Sequence, residues 1–90
     1  MSRTIWKYEV PLTAAPSLFW LPADAEPLHV DMQSGTIQMW WLLDARAETV
    51  ERRVAIVGTG HLVPGGDGSH VGTVKDGDYI WHLFVEDVAR

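Results

Sequence analysis

The string Gly-Thr-Gly-His at residues 58–61 has the clearest potential for ligand chemistry in this sequence. Two glycines let a backbone approach a ligand closely, and turned backbone amides form concave sites for anions. The string is neither a P-loop nor a dinucleotide-binding fingerprint, because no Lys-Ser/Thr pair and no helical pattern follows it. Two interpretations stay open: a contact with a ligand, or a turn or bulge at the end of a strand.

Arg52 and Arg53 form the only pair of adjacent basic residues. If they lie on a strand, their side chains point to opposite faces. A planar guanidinium on one face suits a phosphate or a carboxylate. The nearby Glu48 and Glu51 also allow ordinary ion pairs at the surface.

Four histidines are present, but no two of them have the short spacing of an HxH or HxxxH metal motif. No serine lies in a GxSxG elbow, and no string assembles a nucleophile, a base and an oxyanion donor. The glycine-rich stretch at residues 65–70 lacks the oxygen ligands of a calcium loop and is more typical of a mobile connector. We therefore expect no catalytic group, no metal site and no cofactor.

Length and composition restrict the class of protein. The chain has 90 residues, which predicts a single domain over residues 1–90. It has no cysteine, which excludes a disulfide scaffold, a thiolate zinc site and a thiol nucleophile. A formal charge of −5 argues against binding of duplex nucleic acid. No apolar run is long enough for a transmembrane helix, and no signal-peptide pattern opens the chain, so we expect a cytoplasmic protein without a membrane partner.

Apolar and polar residues alternate at period two through most of the chain, and turn signals recur about every ten residues. Ser34-Gly35 and Asp76-Gly77-Asp78 predict tight hairpin turns. The pattern predicts an all-β fold, a small antiparallel β-sandwich or partly open β-barrel of about six or seven short strands. Residues 44–51 are polar and fit a loop or one helical turn. The predicted strands are 5–10, 17–21, 28–32, 36–43, 52–57, 71–74 and 79–85.

Two adjacent tryptophans, Trp40 and Trp41, must point to opposite faces of their strand. One fits the core, and the other needs cover from a second sheet, a loop, a ligand or a partner subunit. Because small chains have difficulty covering apolar surface, we expect a homo-oligomer, a dimer or larger. Strand phase predicts a core of Ile5 or Trp6, Leu28, Val30, Ile37, Met39, Trp41, Val54, Ile56, Ile80 and Leu83.

Four strings carry a resemblance to a known group of proteins: IWKYEVPLT at 5–13, LHV at 28–30, VGTGH at 57–61 and WHLF at 81–84. The chain resembles a family of small uncharacterised bacteriophage and prophage proteins with an IWKYE(V/L)P opening and a GTGH centre. The resemblance covers most of the chain and departs from the family pattern at Trp40-Trp41 and in the glycine-rich stretch before His70. It implies a viral or prophage origin and an accessory role, with no activity or catalytic residue to carry over.

We therefore expect a non-enzymatic accessory protein of phage type that acts by binding, as an anti-defence inhibitor of a host protein or by sequestering a nucleotide signal in the host cytoplasm. For a nucleotide, aromatic side chains would stack on the base, and arginine with glycine-loop amides would hold phosphate at a subunit boundary. The alternatives are a structural or assembly protein of a phage particle and a small metal-dependent hydrolase. The candidate ligand-binding residues are Trp40, Arg52, Arg53, Gly58, Thr59, Gly60 and His61.

Overall fold

The alternating segments form seven strands in the computed structural model, which describes residues 2–64 and 68–87. Three strands form one antiparallel sheet in the order β1-β4-β3, and four form a second in the order β2-β5-β7-β6. The described residues contain no helix, which confirms the all-β prediction, and the two sheets make a sandwich rather than a closed barrel. The strands are β1 (Thr4–Val10), β2 (Ser17–Pro22), β3 (Glu26–Gln33), β4 (Thr36–Leu43), β5 (Thr49–Gly58), β6 (Ser69–Asp76) and β7 (Tyr79–Asp87).

Strands of one sheet pack face to face on strands of the other through their side chains. The rings of Tyr8 on β1 and Phe19 on β2 lie edge to face, with centroids 5.8 Å apart. At the centre, the guanidinium carbon of Arg52 on β5 lies 5.3 Å from the centroid of Trp41 on β4. These contacts place β1 over β2 and β4 over β5, so the apolar face of each strand lies between the sheets.

Glycine is required where β3 packs on β6. A Cβ atom at Gly72 would lie within 2.2 Å of Cγ2 of Val30, which is closer than any van der Waals contact allows. Val30 is buried in the core, so the missing side chain of Gly72 lets the two sheets approach at this edge.

Strand phase predicted most of the core correctly. Ile56 is partly buried against the fully buried residues. Leu28 is 48% exposed, because a β-bulge between Pro27 and His29 leaves it without a partner on β4. Ile80 is exposed because alternation along β7 puts it on the outer face with His82, opposite to the buried Leu83. Neither Ile5 nor Trp6 is buried: alternation from the buried Val10 puts Ile5 on the outer face, and Trp6 on the edge strand β1 is 38% exposed. The predicted core residues that are buried are Val30, Ile37, Met39, Trp41, Val54 and Leu83.

The phenol of Tyr8 makes the contact between the sheets sensitive to alkaline pH. Partial burial raises the pKa of Tyr8 above its ordinary value, because the charged phenolate loses water contacts. Because the pKa of Tyr8 is higher in the folded than in the unfolded state, it adds to the free energy of unfolding. This contribution is complete below about pH 10 and is lost as the pH rises through the folded-state pKa.

We expect Tyr8→Phe to unfold like the wild type near neutral pH and to lose less stability above about pH 10. Urea melts across this range measure the difference. Tyr79→Phe is the matched control, since Tyr79 is exposed, and it should lose stability at high pH as the wild type does. If the stability of the wild type and of Tyr8→Phe fell equally above about pH 10, the alkaline loss could not be assigned to Tyr8.

Candidate ligand-binding cleft

Loops and strand ends form a cleft of about 320 Å³ at one end of the sandwich. One wall is the segment between β1 and β2, residues 12–14, and another is the end of β5, residues 56–58. His61, Leu62, Pro64 and Trp81 complete the lining. We call this the end cleft. Its volume lies at the lower end of the range for small-molecule sites, and its lining is mostly apolar.

Gly58 lies between two rings of the end cleft. A Cβ atom there would be 3.4 Å from Cζ3 of Trp81 and 3.6 Å from two ring atoms of His61. The chain then turns back on itself: Gly60 has a φ of 91°, and the backbone N–H of His61 donates to the carbonyl of Gly58 over 3.1 Å. The Gly-Thr-Gly-His string is therefore a turn at the end of a strand, and the turn places the imidazole beside the indole.

Trp81 forms the aromatic wall of the end cleft, and Tyr79 lies beside it. The two rings are stacked, with centroids 5.7 Å apart and planes 17° apart. The indole Nε1 of Trp81 is buried, and it has no hydrogen-bond acceptor among residues 2–64 and 68–87. A buried N–H without an acceptor costs about 1–3 kcal/mol. Trp81 and Tyr79 were not predicted as site residues, although their spacing of two on one strand could have placed them on one face.

Thr59 belongs to the turn but faces the opposite side of the four-stranded sheet. Its hydroxyl lies 3.0 Å from Nε2 of His82, and Nδ1 of that ring lies 3.0 Å from the hydroxyl of Thr73. Nε2 of His70 is also 3.0 Å from the Thr73 hydroxyl. Alternation along β7 separates these groups from Trp81. The cluster therefore fixes the outer side of the turn and does not line the end cleft.

The two adjacent arginines lie on opposite faces of β5, as strand alternation predicts. Arg52 points between the sheets, where it lies over Trp41 and donates to the carbonyl of Ala25. Arg53 points outward, and its Nη1 lies 2.7 Å from Oε1 of Glu86. Both guanidinium groups are therefore occupied by contacts within the chain, and neither lines the end cleft.

Trp40 lies on the outer face of the three-stranded sheet. Lys7 flanks it on β1, with Nζ 6.0 Å from the ring centroid, and His29 flanks it on β3, with centroids 5.6 Å apart. Its neighbour Trp41 is 1% exposed and fills the core. The structure therefore brings Gly58 and His61 together in the end cleft, while Trp40 and Arg53 lie on the outer faces of the two sheets and Arg52 lies between the sheets.

Histidines and carboxylates are dispersed over the part of the chain that the structure describes. No three or more His, Asp and Glu side chains there are placed to hold a metal ion. Nor does any helix of the described residues have the length and apolar character needed to cross a membrane.

A family model described as a domain of unknown function (DUF7352) matches residues 1–90. The chain belongs to the DUF7352 family. No curated protein and no solved structure matches it. Because the match extends over the whole DUF7352 chain, both sheets and the end cleft lie within the family domain.

Proposed function

We propose that this DUF7352 chain is a non-enzymatic accessory protein of phage type that binds a small host ligand in the end cleft. The observation that carries the proposal is Trp81, whose ring lines the end cleft and whose buried indole N–H has no acceptor in the described chain. A ligand that supplies an acceptor there would relieve the cost of that group, so binding would stabilise the native state.

The lining favours a ligand with a planar, partly apolar body. Leu12, Leu62 and Pro64 supply apolar surface, and Trp81 supplies an aromatic ring. His61 adds a ring nitrogen that donates or accepts a hydrogen bond. A nucleobase has this combination of a flat ring with acceptor atoms at its edge, and it stacks well on aromatic side chains. We therefore propose a nucleotide as the ligand.

Binding rather than catalysis fits the groups that line the cleft. Thr13 provides a hydroxyl and His61 a titratable ring, but acyl or phosphoryl transfer also needs placed donors for the developing charge. The backbone N–H of His61 already donates to Gly58, so it does not supply such a donor. A protein of this kind acts on a host by removing a signal nucleotide from solution, which is an anti-defence role.

A screen of melting temperature against cyclic and linear nucleotides tests the proposal. At a ligand concentration of 100 times Kd, the native state gains about 2.7 kcal/mol. For a domain of this size, each kcal/mol raises Tm by about 4–8 °C, so one nucleotide class should raise Tm by more than about 10 °C.

His61→Ala should weaken the affinity at least severalfold and so lower this shift, because it removes one side of the end cleft. His70→Ala is the matched control, since this exposed histidine belongs to the outer cluster, and it should bind as the wild type does. Equal shifts in both variants would show that the ligand does not bind in the end cleft. The absence of any shift with every nucleotide would contradict the proposed ligand class.

A further inference from the structure

The edge strand β2 carries two exposed apolar side chains on its outer face. Leu18 is 54% exposed and Trp20 is 65% exposed. β5 is the one neighbour of β2 in its sheet, so the other edge of β2 presents backbone N–H and C=O groups with no strand beside them in the described chain. An exposed edge with large apolar side chains is a template for pairing with another strand.

We propose that β2 pairs antiparallel with β2 of a second copy of this chain, around a two-fold axis at Phe19. The two four-stranded sheets then form one sheet of eight strands. An isologous contact of this kind is self-complementary, because each copy offers the same strand in the opposite direction.

Side-chain direction selects the register of the pair. Directly opposite residues of an antiparallel pair project to the same face, so the two-fold axis must pass through a residue. With the axis at Phe19, Leu18 of each copy lies opposite Trp20 of the other. An axis at Leu18 would put Trp20 opposite Pro16, and an axis at Trp20 would put Leu18 opposite Pro22. Each of these two axes pairs the axis residue only with itself, whereas the Phe19 axis gives both exposed apolar residues an exposed apolar partner and leaves the prolines at the two ends.

Charges beside the apolar pair are complementary in this register. On the outer face of β5, Arg53 lies next to Leu18 and Glu51 lies next to Trp20. Four residues would therefore lie side by side in a row across the interface: Arg53 and Leu18 of one copy, then Trp20 and Glu51 of the second copy. This register therefore places opposite charges, and no like charges, at the two ends of each row.

The mass in solution tests the pairing. At high-micromolar concentration the wild type should have twice the chain mass of 10.1 kDa. Trp20→Lys should have the mass of a single chain, because a charge replaces the centre of the apolar contact. Ile5→Lys is the matched control, since Ile5 is 55% exposed on another edge strand, and it should stay dimeric. A monomeric wild type or a dimeric Trp20→Lys would overturn the proposal.

A single cysteine tests the register, because the chain has none of its own. Phe19→Cys would face its own copy across the axis at a Cα separation of about 4.5–5.5 Å, which suits a disulfide. Mild oxidation should link this variant far faster than Leu62→Cys, whose side chain is 93% exposed outside the interface. Equal rates would overturn the register. No residue of β2 lines the end cleft, so this interface and the proposed ligand can fail separately.

Discussion

Replacing Trp41 with alanine is expected to lower the free energy of unfolding by about 3–5 kcal/mol. The indole is 1% exposed and lies in the centre of β4, where it packs on the core and under the guanidinium of Arg52. Alanine would leave a cavity that neighbouring side chains fill only in part. Because the total stability of a domain is about 5–15 kcal/mol, the variant should lose between a fifth and all of that stability.

Trp40→Ala is the matched control for this experiment, since it removes the same atoms from the adjacent residue. Its ring lies on the outer face of the three-stranded sheet beside Lys7 and His29, so less apolar surface returns to water. We expect less than half the cost of Trp41→Ala in urea melts followed by circular dichroism. Equal costs at the two positions would contradict the assignment of faces on β4.

Gly72→Ala is expected to cost about 1–3 kcal/mol, which is large for the addition of one methyl group. The new Cβ would lie 2.2 Å from Cγ2 of Val30 across the sheet interface, so one of the two strands would have to move. Val30 lies within regular pairing of β3 with β4, and Gly72 directly follows a register shift of β6 against β7, so a movement of either strand would disturb the hydrogen bonds to its neighbour.

Val30→Ala removes the clashing atom and makes the explanation testable by a double-mutant cycle. In a Val30→Ala background, Gly72→Ala should cost distinctly less than it does alone, and urea melts of the four proteins give the coupling energy. Additive costs would show that the close approach at Gly72 does not limit the packing of β3 on β6.

The sequence predicted the strands well because each strand buries one face, which leaves a period-two pattern along the chain. Residues 36–43 were predicted and observed with the same bounds. β5 begins at Thr49 instead of Arg52, because the edge strand β2 pairs with its polar start. β6 begins at Ser69, inside the predicted loop of residues 61–70. Residues 65–67 of that loop lie outside the described residues.

The partition of strands between sheets depended on contacts far apart in sequence. β1 pairs with β4 and not with β2, its neighbour in the chain. Nothing local decides this choice, since several strands carry a similar apolar face. The exposure of Leu28 also depends on a contact distant in sequence. The alternation of residues 28–32 is regular, but a bulge in the pairing of β3 with β4 leaves Leu28 without a partner.

Of the candidate site, only the turn at residues 58–61 was predictable from the sequence. Two glycines bracketing one residue indicate a turn, and that turn sets His61 beside the end of β5. Grouping this turn with Trp40 and the arginines required knowledge of which sheet face each side chain occupies. Trp81 enters the cleft because β7 lies next to β5 and pairs it with Gly58, which is a tertiary contact without a local signal.

The proposed binding of a nucleotide in the end cleft against Trp81 can be observed in an NMR titration of the indole N–H signals. Five tryptophans give separate indole N–H signals in a ¹⁵N-labelled protein. With the nucleotide that most raises Tm, the Trp81 indole signal should shift strongly downfield as its N–H gains an acceptor, while the Trp40 signal on the outer face stays in place. A bound nucleotide that leaves the Trp81 signal unchanged, or a chain that no nucleotide perturbs, would contradict the claim.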